Sequence, residues 1–247
     1  MAILRFRSLV SVAAAALSAC GSAQTSSTTT TSATPTASAA PVAEVASEQT
    51  SGGMVLEGQM GYLSAAQLQS VLGPAAGALS ECYTDRLAED TFLSGAIELK
   101  FRIGADGTPL WVIPTSSTLG DRTIEQCMIQ RAMALRFPRP RGGETETTYP
   151  LTLDGGDDAR PATDWPPSRI EHVATQHHGA LERCTHGMVG PFTVTLYAAP
   201  HGTVASVGVS VANQGAAAAI DCLVREVRTW HVPDPGSWYA RSSVTVR

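Results

Sequence analysis

Between residues 97 and 103 the chain alternates Ile97, Leu99, Phe101 and Ile103 with Glu98, Lys100 and Arg102. This is the period of a strand with one buried and one wet face. Ala105-Asp106-Gly107-Thr108 supplies a turn, and a second strand runs through Leu110 to Ile113 and ends near Ser116. Trp111 and Ile113 have opposite parity to Leu110 and Val112, so this strand is apolar on both faces. Its outer face requires a cover, either another part of the chain or a partner protein. Upstream, Ser64-Ala65-Ala66-Gln67 has a capping-box pattern and opens a helix carrying Leu68, Val71, Leu72, Leu79 and Cys82. Gly73-Pro74 predicts a kink in it. Downstream, Asp121 caps a helix bearing Ile124, Cys127, Met128 and Leu135, which Pro138 stops. The last strand, Thr147 to Leu153, contains Pro150, which has no N–H to donate and so belongs at a sheet edge.

The same series is then written again. Gly95, Gly107-Thr108, Cys127 and Pro138-Arg139-Pro140 return ninety-five positions later as Gly190, Gly202-Thr203, Cys222 and Pro233-Asp234-Pro235. Gly77-Ala78-Leu79 before Cys82 returns as Gly179-Ala180-Leu181 before Cys184. In the second copy Ser168-Arg169-Ile170-Glu171 again predicts a capped helix. Phe192, Val194 and Leu196, then Val207, Val209 and Val211, predict strands; a helix from Ala216 to Trp230 and a strand at Val244 and Val246 complete it. The chain is a duplication. The fold class predicted is α+β: two tandem small domains, each helix-strand-strand-helix-strand, with a small antiparallel sheet covered on one face by two helices. They span 54–153 and 168–247, joined by an acidic Pro/Gly linker, 154–167.

Residues 1–19 carry Arg5 and Arg7 ahead of an apolar run from Leu9 to Leu17, too short to cross a bilayer and placed as in a secretory signal. Leu17-Ser18-Ala19-Cys20 resembles the bacterial lipoprotein lipobox, which implies lipidation of Cys20 and a membrane anchor. Gly21 in the next position resembles lipoproteins sent to the outer membrane, facing the periplasm or the surface. Residues 20–53 are rich in Ser, Thr, Ala and Pro with almost no large apolar side chain, the composition of a tether rather than a core.

Setting Cys20 aside leaves four cysteines, two per copy. In an oxidising compartment the pairs Cys82–Cys127 and Cys184–Cys222 let each copy close its own bridge; four buried free thiols are the alternative. Removing Arg5 and Arg7 with the signal takes the formal charge from −5 to −7, which disfavours nucleic acid as a partner. The sequence holds no Gly-x-Ser-x-Gly, His-Glu-x-x-His or phosphate loop, so a non-catalytic role without a cofactor is expected.

Cys82-Tyr83, Ile103-Gly104-Ala105-Asp106-Gly107, Ser116-Ser117-Thr118-Leu119-Gly120-Asp121, Cys127, Arg136-Phe137-Pro138-Arg139-Pro140 and Tyr149-Pro150-Leu151 together resemble the TonB C-terminal domain. They are closer still to its cysteine-bearing AgmX/PglI-type relative from gliding-motility proteins. The first copy carries the resemblance over about ninety residues. The second keeps the frame but lacks the Ser-Ser-Thr-Leu and Arg-Phe segments. The resemblance implies an envelope protein-interaction domain that pairs through an exposed strand.

Three surfaces are candidates for function. The first is the edge strand Thr147, Thr148, Tyr149, Leu151 and Leu153, or its repeat at the C-terminus, which would pair with an envelope protein. The second is the cluster Arg131, Arg136, Arg139 and Arg141, which would hold an acidic partner or an anion or else serve as a solvated helix end. The third is His178, Glu182 and His186, one turn apart on a helix, a metal-binding or small-ligand candidate, or else surface histidines, in the copy that holds all six histidines.

Overall fold

A computed structural model describes residues 60–156 and 159–246; the expected signal sequence, Cys20 and the expected tether lie outside them. In the first copy, helix α1 (Ala65–Leu87) begins with the expected capping box: Ser64 Oγ accepts from Gln67 N at 3.2 Å, and Gln67 Oε1 accepts from Ser64 N at 3.0 Å. It continues through Pro74, which lies on its exposed side. Its buried residues, Leu72, Leu79, Cys82 and Tyr83, fall at helical spacing and face the sheet.

Strand β1 (Gly95–Ile103) is central. It pairs antiparallel with β2 (Pro109–Ser117) on one side and with β3 (Thr145–Leu153) on the other. Helix α2 (Arg122–Met133) is capped by Asp121, whose carboxylate accepts from Ile124 N at 2.9 Å. It ends at Met133, short of Leu135, which was expected on the helix, and well short of Pro138, its expected stop. Register shifts at Glu98/Leu99 and Arg102/Ile103 leave Thr115 and Leu110 as extra residues on β2, which bends that strand.

The second copy repeats the order with three departures. Pro167 occupies the N-cap of α3 (Ser168–Gln176) and no side chain caps it, so the capping box predicted at Ser168 does not form; Ser168 already belongs to the first turn. The helix breaks at His177, and α4 (His178–Thr185) starts afresh. The predicted 216–230 helix divides into a 3₁₀ stretch (Gln214–Ala219), capped by Asn213, and α5 (Ile220–Val227). Strands β5 (Phe192–Ala198), β6 (Val204–Val211) and β7 (Ala240–Val246) match β1, β2 and β3. The linker also adds a short strand, β4 (Thr163–Asp164), parallel to Ala240 and Arg241. The second sheet is therefore mixed and four-stranded, in the order β4-β7-β5-β6, where a purely antiparallel one was expected.

Both disulfides form as expected: Cys82–Cys127 joins α1 to α2, and Cys184–Cys222 joins α4 to α5, with Cα separations of 5.9 and 5.4 Å. Each lies within its own copy. The cores do not separate so cleanly. Ile113, from the first copy, is buried in the second core with Trp111 packed beside it. Tyr197, from the second copy, is buried in the first core, with Tyr239 and Trp238 against it. The second copy is thus the cover that the two-faced β2 strand demands.

Candidate functional site

The direction of backbone groups along each outer strand follows from the hydrogen bonds of its neighbour. Ala96 turns both its N–H and its C=O toward the β2 side, donating to Thr118 Oγ1 at 3.0 Å and accepting from Thr118 N at 2.8 Å. Backbone groups alternate along a strand, so the pairs Ala96↔Thr152, Glu98↔Pro150 and Lys100↔Thr148 are not hydrogen-bonded. Thr148, Pro150 and Thr152 therefore aim their backbone groups outward. Pro150 costs the β1 ladder nothing at this position, but it leaves the outer edge of β3 without a donor at its centre.

The matching edge of β7 has no proline. Tyr239 and Arg241 carbonyls accept from Thr163 N at 3.0 Å and Trp165 N at 2.7 Å, so Ser243 and Thr245 share the outward direction. Pro166 and Pro167 turn the chain away into α3 before β4 can extend along them. A groove of about 780 Å³ runs beside Ser243 to Val246, with Glu171, Ala174, His178 and Leu181 on its far wall.

The four arginines are held differently. Arg131 meets Glu81 at 2.7 Å and the Ala78 carbonyl on α1. Arg136 donates to the carbonyls of Ala134 and Leu135 at the end of α2, while Arg139 and Arg141 are exposed. His178 Nε2 lies 3.3 Å from Glu182 Oε1, but His186 is the C-cap of α4, in the turn that leaves the helix. Among the described residues no three His, Cys, Asp or Glu side chains converge as a metal site.

A polar constellation, unsuspected from sequence, lies on the seam between the copies. The sheet of the second copy is apolar toward its helices and, apart from Tyr197, polar or small on the other face, where Thr195, Ser206 and Gly208 meet the first copy and Ser243 backs Thr195 at 2.8 Å. Segment 116–121 docks here. Thr195 Oγ1 donates to the Ser117 carbonyl at 2.9 Å. The Ser206 hydroxyl lies 2.8 Å from the Gly120 carbonyl and 2.7 Å from Asp121 Oδ2. Gly120 has φ +63°, and a Cβ there would lie 2.9 Å from Thr195 Cγ2, so only glycine fits. Arg241 donates to the Ser94 carbonyl at 2.5 Å and to Asp164 at 2.8 Å.

At the centre sits Glu125, 0% exposed. Its carboxyl accepts from Ser117 Oγ at 2.7 Å and from Val209 N at 3.3 Å. Loss of solvation dominates, with a smaller contribution from the nearby Asp121 charge. Together they push its pKa up to about 7 against those two hydrogen bonds and Arg122. One sequence signal could have marked it: a glycine in mid-strand, Gly208, flanked by serines at alternate positions, is the pattern of a close approach. No family model, no curated protein and no solved structure matches the chain.

Proposed function

We propose that the protein is a lipid-anchored bacterial envelope protein whose duplicated, TonB-C-like body is a non-catalytic binding module for other envelope proteins, taking an extended partner segment along an open strand edge. The observation that carries this reading is the outer edge of β7. There Ser243 and Thr245 point their N–H and C=O groups away from β5, beyond the reach of β4 and alongside the groove under α3. A strand laid there would gain main-chain hydrogen bonds from β7 and would place alternate side chains toward Ala174 and Leu181. The edge of β3, interrupted by Pro150, suits a shorter contact. Export through residues 1–19 and anchoring at Cys20, with the tether as spacer, would hold this surface near a membrane.

Cross-linking from the native envelope tests it, using the anchored protein, a Cys20→Ser control and a Thr245→Pro variant. Thr245→Pro removes an outward donor and should fold normally. Capture of one abundant envelope protein by the anchored form, lost in Thr245→Pro, supports strand addition at β7. Equal capture by both forms removes β7 as the docking edge.

A further inference from the structure

We propose that Glu125 is a pH-sensitive latch between the two copies, closing the seam when its carboxyl is protonated and loosening it when ionised. The geometry singles out this residue. Glu125 belongs to α2, yet its carboxyl lies against β6 of the other copy, so close that a Cβ on Gly208 would fall 2.3 Å from Oε1. The equivalent position in the second copy is Ile220, an apolar residue buried in the same cluster as Ile113. The fold therefore has no need of a carboxyl there. Both disulfides are internal to a copy, so neither restrains the seam.

The surroundings of Glu125 can neutralise an ionised carboxyl only in part. From β2 it receives the Ser117 hydroxyl, and from β6 the Val209 N–H. On its own helix Asp121 adds negative charge and Arg122 positive charge. The Arg122 guanidinium is shared with Asp221 at the start of α5, at 2.8 Å. Arg86 of α1 lies 3.6 Å from Asp121 but is already committed to Glu89 and Asp90 at 2.6 and 2.5 Å. Ser206 of β6 faces Asp121 and carries no charge. No cation pairs directly with Glu125 among the described residues, and ionisation leaves a buried charge that water would relieve if the seam parted.

The direction follows by linkage. In the closed seam the group titrates near 7, and once solvated it returns toward its ordinary value of 4.5. Closing therefore takes up a proton between those limits. The seam is tightest below the lower one and loosens as pH rises toward the upper, beyond which the effect levels off. Loosening would uncover Trp111 and Ile113, together with the small-residue face of β5 and β6.

The test is amide hydrogen exchange of the disulfide-intact protein from pH 5 to 8, corrected for intrinsic exchange and read at Ser117, Gly208 and Val209. The wild-type opening constant should rise by up to about tenfold per pH unit below pH 7 and then flatten. Glu125→Gln, which keeps the shape and removes the titration, should show no such rise. A flat wild-type profile, or one that Glu125→Gln reproduces, overturns the proposal. If Glu125→Gln does not fold, a carbon-13 titration of the Glu125 carboxyl in the wild type decides: a midpoint near neutrality upholds the latch, and an ordinary glutamate midpoint ends it.

Discussion

The hydroxyl of Tyr197 donates to the Ser94 carbonyl at 2.7 Å and accepts from the Ser94 N–H at 3.2 Å. A strand residue of the second copy thereby satisfies both backbone groups of one loop residue in the first. The ring is buried in the first core, 5.2 Å from Phe92. Tyr197→Phe keeps that packing and leaves the Ser94 N–H without its partner. Thermal or chemical denaturation should show a loss of about 1–3 kcal/mol, and amide protection at Ser94 should fall.

Gly208→Ala tests how closely the copies approach. The added methyl would meet Glu125 Oε1 at 2.3 Å and Gly120 Cα at 2.9 Å. The expected cost is about 1–3 kcal/mol, measured by urea denaturation. Combining it with Glu125→Ala should recover part of that cost, because the carboxyl is the nearer obstacle. Strict additivity of the two substitutions would contradict the contact.

Adjacent threonines on β3 check the strand's orientation. Thr148 aims its N–H outward, whereas Thr147, paired with Phe101, aims its own at β1. Thr148→Pro should leave the melting temperature nearly unchanged. Thr147→Pro removes a ladder bond and crowds β1, so a loss of about 1–3 kcal/mol is expected. Equal effects would reverse the assignment.

Whole-fold stability should carry the sign of the Glu125 titration. Its folded pKa lies above the unfolded one, so unfolding releases its proton, and this contribution falls as pH rises from about 4.5 to about 7. The span corresponds to a differential of about 3 kcal/mol at most. Plotted against Glu125→Gln, the wild type should be relatively more stable at pH 5 than at pH 8 in calorimetric melts.

Reduction should cost more than any of these changes. Each bridge closes a long loop, with sequence separations of 45 and 38, for which chain entropy gives about 4 kcal/mol apiece. Thiol labelling of unreduced, denatured protein should find Cys82, Cys127, Cys184 and Cys222 blocked, and four reactive thiols would contradict the bridges.

Elements governed by local rules were readable in the chain. Alternation at Ile97–Ile103 gave β1 and its buried face, Asp121 gave the start of α2, and one pair of cysteines per copy gave the bridges. Pro150 gave an edge strand, although which way its nitrogen points needed the register. The failures share another cause. Ser168 matches a capping pattern, but Pro166-Pro167 starts the helix one residue earlier. Thr163-Asp164 reads as a linker because a two-residue strand has no period of its own and exists only through β7. Glu125 sits beside Ile124 in α2, where a carboxylate ordinarily faces water; its burial is decided by Gly208, more than eighty positions away. Local pattern carries no information about such a partner.

Exchanging the copies largely maps the seam onto itself. β2 lies against β6; α2 lies against β6 just as the 3₁₀ stretch, the counterpart of the start of α2, lies against β2. This is the arrangement of a two-fold homodimer enclosed within one polypeptide. In a dimer of identical chains every residue on the axis-related patch appears twice, so an acid at this contact would bring a second acid with it, and a bulky isoleucine would be needed on both sides or on neither. Joining the halves by residues 154–167 removes that obligation. Ile113 and Ile220 can keep one half of the contact greasy while Glu125 and Gly208 make the other half titratable, an asymmetry that identical subunits could not encode.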